Sequence, residues 1–488
     1  VLVTDFPGRA MLADQMPASS ASSSATPAPN LLFIVMDTMR ADHMGTYGYD
    51  RPTTPFLDGF AKNATVFERV VASSSYTLPT HATLFTGLFS ESHGAIAIGD
   101  RDAGISLDEL NLQADWAKVH PLSDEATTLA EILQGRGYQT GAMCANSAYL
   151  ARAFNLDQGF DAYVDATGSN SDWRPLGLSV ISRLPLPAYW RFERMLNSSE
   201  RYYLLASEIN ELALTWLDDK HDKPFFLFLN YMEPHSPFLP LPGYRDLFPL
   251  AYARTFTALG DVNNGTATIT DEEIQKNIDA YDAEIRSMDD KIAELFAQLE
   301  AWGALENTVV VVVSDHGEAF GEHGKFGHAI SLYEEEVHVP LIVRVPDQVA
   351  GERVARRVHT VDVVPTLLRL MGVESTVPME GGDLFNDGRT LPPVAYFGPY
   401  ERDYSEHSVY DGPLKLILRS DAPPQLYDLT DDPGELKDLA DDRPDDVARL
   451  LALFDEYRNR PGPRFSVEHA ETDAETQERL RSLGYGDR

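Results

Sequence analysis

Leu31-Leu-Phe-Ile-Val-Met-Asp37 is an apolar run that ends on a carboxylate. Short runs of this kind are expected for strands buried on both faces of a parallel sheet. Gly141–Cys144, Phe225–Leu229, Val309–Val313 and Leu341–Val345 read the same way. Helical patterns lie between them, over Thr83–Leu88, Thr127–Gln134, Glu208–Leu217, Ile278–Leu299 and Val363–Met371. Such alternation predicts an α/β fold, a large, mostly parallel sheet covered by helices on both faces. Ligands of these sheets bind beyond the carboxyl ends of the strands.

Three strands carry chemistry to that end. The first runs into Asp37, the Phe225–Leu229 strand into Glu233-Pro-His235, and the Val309–Val313 strand into Ser314-Asp-His-Gly317. A buried strand-end carboxylate is costly unless it is paired or binds a cation. A fourth segment, Ser75-Tyr-Thr-Leu-Pro-Thr-His-Ala-Thr-Leu-Phe-Thr-Gly87, sets the Thr77 hydroxyl just before a helix that Pro79 would start. The unpaired N–H groups of a helix start suit an anion. Asp37, Thr77, Asp315 and His316 make a mixed oxygen and nitrogen ligand set. It suits Mn²⁺ or Zn²⁺ better than Ca²⁺ or Mg²⁺, which favour all-oxygen sites. Such an ion would lower the pKa of the Thr77 hydroxyl and bind a substrate oxygen, making Thr77 a nucleophile.

His81, one helical turn after Thr77, can face the same pocket and help position the anion. His235 can protonate a leaving oxygen. His328, in Gly321-Glu-His-Gly-Lys-Phe-Gly-His328, can bind the anion, donate a proton or help hold a second metal. Lys325 is a candidate anion contact. Asn146 can donate to the anion or serve a turn. Glu322, His323 and His93 read as structural.

Forty basic against 76 acidic residues give a net charge of −36, which argues against nucleic acid or an anionic membrane as the main partner. An anionic substrate must then be drawn in by a local positive centre. Cys144 is the single cysteine, so no internal disulfide forms. The chain starts at Val1 without methionine, and Pro17–Pro29 is nearly all Ser, Ala, Pro and Thr, as in a flexible tether. Both features fit an exported or anchored protein, and a cytosolic tail also fits. No 18-residue apolar run is present to span a bilayer. A homo-oligomer is compatible with the sequence.

Beyond Val373 the pattern changes. Val394–Phe397 and Leu414–Leu418 predict strands of a smaller antiparallel unit, and Asp445–Arg458 a closing helix. The expected division is a tether over 1–29, a catalytic domain over 30–375 and a smaller α+β subdomain over 376–488. Asp165–Tyr203 and Leu239–Thr270 lack periodicity and are expected to cover the site.

The motifs together resemble the sulfatase family of the alkaline phosphatase superfamily. They are Asn30–Gly48, Thr54-Pro-Phe-Leu-Asp58, Thr77–Gly87, Gln158-Gly-Phe-Asp161, Glu233-Pro-His235 and Ser314-Asp-His-Gly-Glu318. Tyr333–Ile342, Asp362-Val-Val-Pro-Thr366 and Leu426–Glu435 complete the series. The resemblance implies a mixed, mostly parallel alkaline phosphatase-like sheet with a C-terminal subdomain. The departures carry more information. Sulfatases have Cys or Ser at the Thr77 position, which becomes formylglycine; the β-methyl of threonine blocks that route. The motif arginine is His81, the second Asp of the family's pair is Thr38, the usual Asn is His316, and the sulfate-binding lysine is His328. A threonine with an Asp-His metal pair resembles the phosphodiesterases and phosphoglycerol or phosphoethanolamine transferases of the superfamily. The expected activity is therefore metal-dependent cleavage of phosphate or phosphonate esters, foremost phosphodiesters, through a phospho-threonine. A sulfatase without formylglycine, a transferase and an inactive binding protein are the alternatives.

Overall fold

The computed structural model describes residues 27–98, 118–165, 203–218, 223–251, 262–263, 265–386, 392–398 and 404–465. Residues 1–26 of the expected tether lie outside this set. So do 166–202, 252–261 and 264 of the segments expected to cover the site.

Asn30–Met36 (β1) lies inside an eight-stranded sheet. Its other strands are Thr65–Val71 (β2), Gln139–Cys144 (β3), Ala162–Val164 (β4), Phe225–Tyr231 (β5), Thr308–Ser314 (β6), His338–Arg344 (β7) and Glu352–His359 (β8). The order is β8-β2-β7-β6-β1-β5-β3-β4. β1 pairs in parallel with both β5 and β6. β7 is antiparallel to β6 and β2, which corrects the parallel expectation for Leu341–Val345. The chain between β6 and β7 holds only a short ribbon and the single turn Glu334–Val337. Without a crossover helix a strand returns antiparallel.

Helices Thr77–Thr86 (α1), Leu129–Gln134 (α2), Ala206–Leu217 (α3), Asp271–Ala301 (α4) and Val363–Leu370 (α5) surround the sheet. Trp216 of α3 meets Phe225 edge-on, with ring centroids 6.5 Å apart, and Phe85 of α1 meets Phe228 at 4.8 Å. Positions 225 and 228 of one strand point to opposite faces, so α3 and α1 lie on opposite sides of the sheet.

The C-terminal unit is the meander Val394–Phe397 (β9), Glu406–Asp411 (β10), Leu414–Arg419 (β11) and Gln425–Asp428 (β12), with helix Pro444–Arg458 (α6) against it. Its core of Val394, Val409, Leu416, Leu426, Leu450 and Tyr457 also takes in Phe89 and Val361 of the larger unit. A buried ion cluster reinforces the seam. Lys415 Nζ on β11 lies 2.8 Å from Glu435 Oε1 and 3.0 Å from Glu334 Oε1, and the Tyr410 hydroxyl donates to Glu334 at 2.9 Å. Breaking a buried pair strands the remaining charge. Lys415→Met is expected to lower stability by about 3–5 kcal/mol in urea unfolding. A loss below about 1 kcal/mol would show that the seam does not depend on this cluster.

Candidate active site

Strand register brings the first two site residues together. β1 and β6 pair Met36 with Ser314, so the next residues, Asp37 and Asp315, emerge side by side. Both are wholly buried. Each carboxylate has one oxygen held and one bare. Asp37 Oδ2 accepts from Asn146 Nδ2 at 3.0 Å and Asn230 Nδ2 at 3.4 Å, whereas Oδ1 has no hydrogen bond. Asp315 Oδ1 accepts from the Thr38 and His316 amides at 3.1 and 2.8 Å, whereas Oδ2 has none. Ligand atoms of Asp37, Asp315 and His316 lie within 4.8 Å of one another. Two bare anionic oxygens beside an imidazole, all out of water, fit a divalent cation.

The electrostatics agree with that fit. Burial, and then the charge of Asp37, push the Asp315 carboxyl well above the usual range. Burial, and then His328, hold the His316 pKa well below its usual value, so the ring is neutral. His316 Nδ1–H donates to the Gly317 carbonyl at 3.0 Å. That leaves a lone pair on Nε2, the form in which histidine binds metals. Nε2 stands 3.2 Å from Thr77 Oγ1 and 3.4 Å from Asp315 Oδ2. Gly317 permits this turn: a Cβ there would lie 2.0 Å from the Glu335 carbonyl oxygen.

Thr77 is the first residue of α1, after Tyr76, and all ten residues of that helix are buried. The helix thus begins two residues before the expected proline start and ends at Thr86, capped by Gly87, not at Leu88. Pro79 is tolerated in the third position because the first-turn N–H groups have no helical acceptor anyway. His81 Nδ1–H donates to the Thr77 carbonyl at 2.9 Å and lies 3.6 Å from Asp315 Oδ2. Its Nε2 carries a lone pair in the neutral ring, and burial lowers its pKa. His81 therefore secures the first turn of the helix.

Asn146, a candidate anion contact, donates to Asp37 Oδ2, and its Oδ1 accepts from the Ala148 and Tyr149 amides, both at 3.0 Å. His328 joins the cluster. Its ring centroid is 4.6 Å from that of His316 and 4.9 Å from that of His235. His235 Nδ1 donates to the Ser236 carbonyl, and its pKa is lowered by burial and then by His328. The Lys325 charge also acts on Glu406 of the C-terminal sheet. Glu233 accepts from the Ala206 amide at the start of α3. Glu322 pairs with Arg40 at 2.8 Å, and His93 contacts Thr83 and Pro79 inside α1.

Four contributors escape the sequence reading. Asn230 orients Asp37 and Asn146; a lone amide within Phe225–Tyr231 was its signal. Glu318 contacts His328 and belongs to a quoted motif. Thr38 adopts φ 55°, rare for a β-branched residue, and donates to the Pro234 carbonyl at 2.9 Å. Tyr281, in mid-α4, donates to the Thr38 carbonyl at 2.8 Å and leaves no local signal.

Comparison with known proteins gives a consistent answer. The sequence profile described as Sulfatase matches residues 29–373, well over half of the chain. That of the N-sulphoglucosamine sulphohydrolase C-terminal region matches residues 321–453. An arylsulfatase of Clostridium perfringens is 26% identical over 383 residues, covering 72% of this chain and 77% of its own. The multifunctional alkaline phosphatase superfamily protein PehA of Trinickia caryophylli is 26% identical over 411 residues, covering 73% and 76%. The phosphonate monoester hydrolase of Agrobacterium radiobacter shares the fold, with a TM-score of 0.65 at 20% identity over 88% of this chain and 96% of its own.

Two measurements test the site. Protein stripped with chelator is expected to bind Mn²⁺ or Zn²⁺ in calorimetric titration. Asn230→Ala is expected to weaken binding about 10–100-fold, as for other residues that orient ligands, and Asp37→Asn to abolish it. The second concerns His323, at the tip of the loop bearing His328. Its Nδ1 is 2.9 Å from Glu335 Oε1 and its Nε2 3.1 Å from the Glu435 carbonyl oxygen. Burial lowers its pKa, but Glu335 and Glu435 together outweigh burial and the net shift is upward. Its contribution to stability is therefore complete below the usual pKa of about 6.5 and lost as pH rises through the higher folded value. The melting difference between wild type and His323→Gln should shrink toward alkaline pH; a constant difference would exclude a charged clamp.

Proposed function

The chain belongs to the sulfatase family, and we propose that it is a metal-dependent ester hydrolase whose Thr77 attacks phosphorus in phosphate or phosphonate esters, foremost diesters. The observation that carries this reading is the placement of Thr77 Oγ1, 3.2 Å from His316 Nε2, beside two bare buried carboxylate oxygens. Asp37, Asp315, His316 and Thr77 would hold the ion, of which Mn²⁺ and Zn²⁺ fit best. Bound there, it supplies positive charge that favours the threonine alkoxide and offsets charge on a non-bridging ester oxygen.

The residues divide the remaining work. Thr77 Oγ forms a bond to phosphorus as the ester oxygen departs with its electron pair. His235 or His328 gives that oxygen a proton. Water then attacks the phospho-threonine, yields its proton to the same imidazole and restores Thr77. His81 holds the Thr77 carbonyl, so the hydroxyl stays on a rigid first turn. Asn146 and Asn230 keep Asp37 oriented.

Threonine favours phosphorus over sulfur for a chemical reason. Formylglycine releases sulfate by collapse of its hemiacetal, and Thr77 has no second oxygen on its β-carbon to drive that step. Phospho-threonine needs only a second in-line displacement. The relatives named as sulfatases make the comparison of both ester classes decisive. Metal-replete protein is expected to cleave an aryl phosphodiester or phosphonate monoester faster than the matching aryl sulfate. Thr77→Ala should lose roughly 10⁴- to 10⁶-fold in kcat, the range for removing part of a hydrolase's nucleophilic unit. Peptide mapping of quenched wild type should find phosphate on Thr77. Faster sulfate cleavage, or an active Thr77→Ala protein, would refute the assignment.

A further inference from the structure

Glu318 is wholly buried four residues past the end of β6, and its Oε1 has no hydrogen bond. Its place follows from a short ribbon. Ala319–Phe320 pairs antiparallel with Phe326–Gly327, Phe320 opposite Phe326 and Ala319 opposite Gly327. The next step of that register sets residue 318 against residue 328, and Glu318 Oε2 lies 3.2 Å from His328 Nδ1. Gly327, at φ 94°, turns the chain beside the carboxylate, where even a Cβ would stand 3.6 Å from Oε1.

Both strands of the ribbon are anchored. Arg40 Nη1 donates to the Glu318 carbonyl at 2.9 Å. The Asn263 side chain grips the other strand like a backbone partner, donating to the Phe326 carbonyl at 2.7 Å and accepting from its amide at 3.0 Å. His328 is thus held from one side by a rigidly placed carboxylate, while its ring lies beside those of both His316 and His235.

We propose that Glu318 is a positioning residue for His328. Its carboxylate accepts the Nδ1–H, which fixes the ring plane and the tautomer, so that Nε2 is the nitrogen that serves the leaving oxygen. This rests on the reading of His328, rather than His235, as the leaving-group acid. In the step itself the phosphorus–oxygen bond breaks, the oxygen keeps the electron pair and takes the proton from His328 Nε2. The Nδ1–H stays with Glu318 throughout. The arrangement parallels the carboxylate that orients histidine in a hydrolytic triad.

The test uses metal-replete protein and two aryl phosphonate monoesters, with 4-nitrophenol and phenol as leaving groups. The poor leaving group needs the proton and the good one hardly does. Glu318→Ala is expected to lower kcat about 10²-fold for the phenyl ester, a general-acid loss, with a far smaller drop for the nitrophenyl ester and KM unchanged. Glu318→Gln, which keeps an acceptor oxygen, should recover most of the loss. In a His328→Ala background, Glu318→Ala should add little. Glu318→Leu replaces the alanine variant if that one does not fold. Nitrogen NMR of labelled histidine, with His328 assigned from His328→Ala, supplies a readout independent of turnover. At a pH where the His328 ring is neutral, wild type should show the Nδ1–H tautomer and Glu318→Ala a mixture. Equal losses on both esters, or an unchanged tautomer, would overturn the proposal. A shifted tautomer with neither ester cleaved would leave the positioning in place and reject the phosphoryl chemistry instead.

Discussion

Asp37 and Asp315 are two carboxylates that strand register forces together out of water. Like charges at such a place repel, and burial removes the solvent that would screen them. Asparagine amides and backbone N–H groups satisfy one oxygen of each, which fixes their orientation without neutralising them. Further strain gathers at the same point. Thr38 sits in the left-handed region, at a cost of roughly 1–3 kcal/mol, and is held there through its amide, hydroxyl and carbonyl. A local arrangement this unfavourable persists only because the rest of the sheet is packed around it. A divalent cation would relieve the repulsion between the two carboxylates.

The fold supplies the remaining groups from independent directions. β1, β5 and β6 run parallel, so their carboxyl ends deliver Asp37, His235 and the Asp315-His316 pair to one edge. β2 leads into the buried helix that presents Thr77. The smaller C-terminal unit supports both flanks. The Tyr396 amide at β9 donates to the Ser73 carbonyl at 2.9 Å, just ahead of Thr77. The Glu435 carbonyl accepts from the His323 ring, which also stacks on Tyr333 with centroids 3.6 Å apart. With Phe89 and Val361 inside its core, that unit is a wall of the site's support and not an appendage.

Much of this was legible before any coordinates, and the pattern of misses has a physical cause. Strands buried on both faces, such as β1 and β6, announce themselves as unbroken apolar runs. β2 carries Glu68 and Arg69 at partly exposed positions, and β8 is a charged edge strand, so neither forms such a run. The direction of β7 depends on what precedes it rather than on its own residues. Within the site, strand ends pointed to Asp37, Asp315 and His316, which the structure gathers into one cluster. Asn146 and His81 read as polar groups near the right place. Which partner each would choose depends on distances that span the sheet, and Tyr281 reaches Thr38 across 243 positions of sequence.

A threonine nucleophile constrains everything placed opposite it. On the proposed reading, the intermediate cannot collapse by itself, so one imidazole must donate a proton to the departing oxygen and then recover one from water. A ring free to flip would present the wrong nitrogen for half of that cycle. Backbone carbonyls beside His81, His235 and His316 each occupy Nδ1. At His328 a carboxylate takes the carbonyl's place. A carbonyl orients the neutral ring, but a carboxylate also stabilises the imidazolium. At His328 Nδ1 the partner is therefore of the kind suited to carrying a proton both ways.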